Sequence, residues 1–247
     1  ATNNCFFGRN AGANLTTGHN NVAIGYQSFD AANAGEAANV AIGYSAMGAV
    51  DETINSGAGV HSADNNVAIG YNALLGGVIG GGDVNDSTDR RLNHNIAIGY
   101  GSLDATGENP SVGQIAIGYD SLGALTSGER NLGIGYQSLY QADVIDDSIA
   151  IGYQALAGTD AGTCNKNLAI GNYALDAALA NSIHNVAIGY NALTASTSGA
   201  SNVAIGGSGA GGAITTADRI VAIGDGALGG AVQSQGNTGV GYATLYS

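Results

Sequence analysis

The 247-residue chain carries a formal net charge of −13 and 42 glycines against one proline. Glycine without a Gly-X-Y period or proline excludes collagen, and 45% apolar against 10% charged residues excludes a disordered chain. Six Lys and Arg scattered among 19 Asp and Glu offer no cationic surface for phosphates, which excludes nucleic acid, and no 18-residue apolar run is present for membrane insertion.

From the N-terminus onward one unit recurs, Asn-Val-Ala-Ile-Gly-Tyr-x-Ala/Ser-Leu. A degenerate copy begins at Asn4, and clear ones begin at Asn21, Asn39, Asn66, Asn95, Gln114, Asn131, Ser148, Asn167, Asn185, Asn202, Ile220 and Asn237. The shared glycines, from Gly8 to Gly241, are 17 to 19 residues apart in ten of twelve steps. The exceptions, 27 from Gly43 to Gly70 and 29 from Gly70 to Gly99, place inserted loops near residues 50–62 and 76–91. The start, Ala1-Thr2-Asn3-Asn4, lacks the basic and apolar regions of a secretory signal, so a mature or excised product is expected.

Within each copy, alternation puts Val22 and Ile24 on one face of a strand and Ala23 and Gly25 on the other. The Ile position forms a structural ladder through Ile24, Ile42, Ile69, Ile98, Ile117, Ile134, Ile151, Ile170, Ile188, Ile205 and Ile223. The Ala or Gly two places before the shared glycine implies close approach by another backbone. After the glycine, Tyr-x-Ala/Ser-Leu is expected to return along a second short strand with Leu pointing inside. Two strands and two turns fit 17 to 19 residues, whereas a strand, helix and return do not. One rung cannot bury its own apolar face, but stacked rungs share a core. The expected fold is therefore all-β, a parallel β-solenoid or β-roll of about 13 rungs forming one repetitive domain over residues 1–247, about 60 Å long at strand spacing. Asn opens ten of the thirteen copies, and a side-chain hydrogen-bond ladder is expected to fix the register.

The repeat resembles the head repeats of trimeric autotransporter adhesins of the YadA-like kind, and resembles still more the Tyr- and Leu-bearing repeats of bacteriophage tail fibres. The resemblance spans Asn4 to Leu245. It implies a left-handed roll, three chains side by side, and an extracellular place on a cell-surface appendage or a virion tail fibre. The rung is longer than the adhesin rung of about 14 residues. The copies run almost from end to end without a polar cap, which leads us to expect either removed flanking domains or head-to-tail stacking.

No nucleophile motif, phosphate loop or carboxylate pair suggests catalysis, so no enzyme is expected. Cys5 and Cys164 lie too many rungs apart to pair within one straight stack; structural thiols and inter-chain disulfides both remain readings. Asp83, Asn85, Asp86 and Asp89 have the alternating oxygens of a calcium loop, but Thr88 and His94 stand where its Gly and Glu belong, which favours a solvated loop and no cofactor. Tyr26, Tyr44, Tyr71, Tyr100, Tyr119, Tyr136, Tyr153 and Tyr190 form a stripe, interrupted at Asn172, Gly207 and Asp225, that reads as a packing ladder or a glycan-binding track. The function expected is a stiff fibre component that self-associates as a homotrimer or head-to-tail polymer. The alternative is an adhesin whose stripe or inserted loops recognise a cell-surface glycan.

Overall fold

The computed structural model describes residues 2–32, 35–52, 61–76, 78–79, 90–106, 110–141, 144–158, 164–177, 181–230 and 234–245. Among these residues the chain is all-β without a helix, hence without any helix long and apolar enough to cross a membrane. It divides into two compact units, Ala1–Arg130 and Asn131–Ser247.

Each copy of the repeat supplies one three-residue strand. In the first unit six strands stack in parallel: Cys5–Phe7, Val22–Ile24, Val40–Ile42, Val67–Ile69, Ile96–Ile98 and Ile115–Ile117. In the second unit seven do so, from Leu132–Ile134 through Ile149–Ile151, Leu168–Ile170, Val186–Ile188, Val203–Ile205 and Val221–Ile223 to Thr238–Val240. Like pairs with like through the regular copies, as in Val22↔Val40, Ala23↔Ala41 and Ile24↔Ile42, and the same register holds where the end copies differ, as in Phe6↔Ala23 and Val221↔Thr238. Both units are thus parallel β-solenoids with the sequence period as the rung.

The two long rungs leave this stack undisturbed, as the spacing predicted. Val67–Ile69 pairs in register with the strands on either side although each neighbour is 27 or 29 residues away. The insertions also pair with one another. Asp51–Glu52 runs parallel to Val78–Ile79, and His61–Ser62 parallel to Arg90–Arg91, a sheet that continues through Ser111–Val112 to Gly128–Glu129. The calcium-loop candidates Asp83, Asn85, Asp86 and Asp89 lie outside the described residues.

The interior is made of the small strand residue and the Leu. Ala23, Ala41, Ala68, Ala97 and Ala116 are fully buried in the first unit, as are Ala150, Ala169, Ala187, Ala204 and Ala222 in the second. Opposite them stand Phe29, Met47, Leu74, Leu103 and Leu122, then Leu139, Leu156, Leu175, Leu193 and Leu228, again with almost no exposure. The close approach inferred from the alanines is therefore the approach of the two walls of the roll.

The return limb differs from expectation. It is a stacked corner, not a strand, because its backbone repeatedly takes positive φ: 52° at Gln27 and 54° at Phe29, 52° at Asn72 and 46° at Leu74, 50° at Gln154 and 48° at Leu156. This geometry turns alternate amides up and down the stack. Phe29 N–H donates to Ala46 O at 2.9 Å, in the following rung, while Gln27 N–H donates to Arg9 O at 3.0 Å, in the preceding one. A left-handed conformation costs a non-glycine residue about 1–2 kcal/mol, and full burial of a Leu returns about 1.5–3 kcal/mol. Burial wins, so Leu is tolerated where a turn would ordinarily demand Gly or Asn.

Candidate functional site

The strand that buries Ala must present its neighbours outward, and these are the large residues. Val22, Val40 and Val67 are half-buried, and Ile24 and Ile69 are 37% exposed. In the second unit Ile149, Ile205 and Ile223 show 37–38%. The Ile ladder read from the sequence exists, in register, but on the outer surface. Ile42, Ile98, Ile117, Ile134, Ile151, Ile170 and Ile188 are half-buried in the same columns. No charged residue occupies either column in a chain with 19 acidic side chains. Large apolar side chains exposed in a continuous row are unusual on a soluble surface and mark a surface that meets something.

One residue past the corner glycine, the Tyr column continues this face. Tyr26, Tyr44, Tyr71, Tyr100 and Tyr119 stack at centroid spacings of 5.3, 4.9, 4.9 and 5.1 Å, with planes within 4–23° of parallel. Arg9 starts the row, its guanidinium 5.7 Å from the Tyr26 ring. The spacing is that of the strands, so the stack follows from the register. In the second unit Tyr136 and Tyr153 stack at 5.2 Å. There the interruption at Asn172 is bridged in a way the repeat alignment did not signal. Tyr173, one place later, meets Tyr153 edge-on at 5.3 Å and Tyr190 edge-on at 6.1 Å, while Asn172 Oδ1 accepts from Tyr153 N–H at 2.9 Å. The Tyr173 phenol is raised above its ordinary value by desolvation first and then by Tyr153. Gly207 and Asp225 carry no ring.

The corner glycine explains how rungs come close enough for this. Gly43 has φ of 135°, and a Cβ there would run into the carbonyl of Gly70 in the next rung. Both conditions require glycine.

The Asn column runs inside. Asn21 Oδ1 accepts from Asn39 N–H at 2.9 Å, Asn39 Oδ1 from Asn66 N–H at 2.9 Å, and Asn66 Oδ1 from Asn95 N–H at 3.0 Å. Asn66 Nδ2 meanwhile donates to Leu92 O and to Asn39 Oδ1. The second unit repeats the device from Asn167 through Asn185 and Asn202 to Ile220 N–H. The expected ladder is thus present, and its main partner is the backbone of the next rung rather than the next side chain.

Cys5 is exposed and Cys164 is buried, with burial pushing the Cys164 thiol up. A raised, buried thiol is a poor nucleophile for disulfide exchange, so Cys164 suits the structural reading better than the inter-chain one. Among the described residues no three His, Cys, Asp or Glu side chains gather as metal ligands. Comparison with family models, with curated proteins and with solved structures gave no match.

Proposed function

We propose that the chain is a structural component of an extracellular fibre that associates with further copies of itself, side by side, through the outward Val/Ile/Tyr face. The observation that carries this reading is the Ile column, repeated in register on the outside, where a monomer would place polar residues. An interface core free of charge suits copies that are otherwise acidic, because it lets apolar surface meet without bringing carboxylates together. The likeness of the repeat to those of adhesin heads and phage tail fibres supports a homotrimer on a cell-surface appendage or virion. The side-facing position of the column favours lateral association over a head-to-tail polymer. No catalytic role is assigned.

The test counts chains in purified protein by mass photometry and images them by cryo-electron microscopy. The unsubstituted protein is expected as a discrete multimer, three chains on the fibre reading. Ile69→Asp with Ile98→Asp, both outward and outside the core, is expected to yield folded monomers. A monomeric parent, or a doubly substituted protein that still assembles, overturns the proposal.

A further inference from the structure

A polar notch lies on the second unit, and none of its lining side chains belongs to the Val, Ile or Tyr columns. It occupies about 600 Å³ and is lined by Gln137, Tyr140, Gln154, Gly158, Asp176 and Thr197, among others. That volume falls in the range of small-molecule clefts, roughly 300–1,000 Å³. The repeat explains its origin. Tyr140, Ala157 and Asp176 all stand five residues after a shared glycine, namely Gly135, Gly152 and Gly171, so they fall in one column on three successive rungs. The middle rung contributes Gln154 as well as Ala157 and Gly158, and of these only the two small residues stand in or next to that column. Small residues there leave a gap, walled by an aromatic ring on one side and a carboxylate on the other, two strand spacings or about 9.6 Å apart.

The polar groups are held in place. Gln154 Nε2 donates to Gln137 Oε1 at 3.0 Å, which fixes both amides. A primary amide carries both a donor and an acceptor, which complements hydroxyl groups, each of which both donates and accepts. Thr194 Oγ donates to Asp176 Oδ1 at 2.6 Å, which orients the carboxylate. The second oxygen of Asp176 can accept a further hydroxyl in a charge-assisted bond. Tyr140 supplies a half-buried ring on which the C–H face of a pyranose can lie. Two planar amides, one carboxylate and one aromatic ring around a gap one sugar ring wide match a saccharide better than an apolar or phosphorylated ligand. Asp176 and the net charge of −13 disfavour an anionic sugar.

We infer that this notch binds a short neutral saccharide, with Tyr140 as the stacking platform and Gln137, Gln154 and Asp176 as the hydroxyl partners. The site is independent of the self-association face, because none of these side chains belongs to the Val, Ile or Tyr columns.

The experiment titrates the full chain with lactose, maltose and cellobiose, and separately with 3′-sialyllactose, using saturation-transfer-difference NMR and calorimetry. At least one neutral disaccharide is expected to bind at one site per chain in the millimolar range, and sialyllactose more weakly than lactose. Tyr140→Ala and Gln154→Ala should each weaken binding about ten-fold with an unchanged thermal midpoint. No saturable binding of any neutral disaccharide at up to about 50 mM overturns the inference. So does affinity that survives both substitutions in folded protein, or tighter binding of sialyllactose. Mass photometry on the same samples separates the two proposals: multimers without sugar binding sink this one alone, and sugar-binding monomers sink the fibre reading alone.

Discussion

At the residue scale the decisive choices are those of backbone conformation, and one side-chain charge is out of place. The corner asks a Leu, Met or Phe to adopt positive φ in copy after copy, and the interior offsets the cost by burying it. Beside this corner sits Asp104, half-buried, whose carboxyl is raised from 3.8 to about 6, first by desolvation and then by the nearby charge of Asp120. A carboxyl whose folded pKa is raised binds its proton more tightly when folded. Its contribution to stability is therefore fully present below about pH 3.8 and is lost as pH rises through about 6. Asp104→Asn should accordingly stabilise the protein at pH 7, by up to about 1 kcal/mol once solvent screening of a half-exposed group is allowed for. The advantage should shrink toward zero at pH 4. Urea unfolding at the two pH values checks it, and an equal midpoint at pH 7 would show that the carboxylate is not strained.

At the scale of the rung, the strand, its period and its zero-offset register could be read from Asn-Val-Ala-Ile-Gly, because alternation and spacing encode both. What could not be read was which face turns inward. Large Val and Ile against small Ala suggests a large-residue core to any rule based on hydrophobicity, yet the roll is narrow enough that only Ala fits behind the strand while Leu fills the space from the far wall. Nor could the corner be read, since Gln27 and Phe29 are not turn residues and nothing in their chemistry announces positive φ. The saccharide notch escaped for a related reason: it is made by what Ala157 and Gly158 lack. The Asn ladder, in contrast, was legible, and its worth can be measured. Asn66→Ala removes the acceptor for Asn95 N–H and the donor to Leu92 O, all fully within the core. Buried groups left unpaired cost about 1–3 kcal/mol each. A loss of about 2–4 kcal/mol in unfolding free energy is expected by denaturant titration. Ile220 occupies the same column naturally, donating its N–H to Asn202 Oδ1 but offering no side-chain acceptor onward, so the stack tolerates an isolated break. A loss below about 0.5 kcal/mol for Asn66→Ala would mean that the ladder specifies register without stabilising it.

At the scale of the whole molecule, two opposing terms govern whether copies meet. Nineteen acidic residues against six basic ones make every copy repel every other, while the uncharged Val and Ile columns draw them together by burial of apolar surface. The two respond to salt in opposite ways. Repulsion between like net charges extends over a Debye length of about 30 Å at 0.01 M salt and only about 8 Å at 0.15 M, whereas apolar burial is not screened. Lateral association through the proposed face should therefore strengthen as sodium chloride is raised from about 10 to 150 mM. An interface held by ion pairs would weaken over the same range. Sedimentation equilibrium at several salt concentrations reads the association constant directly, and Ile69→Asp should abolish the association at all of them. If association instead falls with salt, charged side chains outside the Ile and Tyr columns hold the copies together, and the exposed ladder must be assigned to another partner.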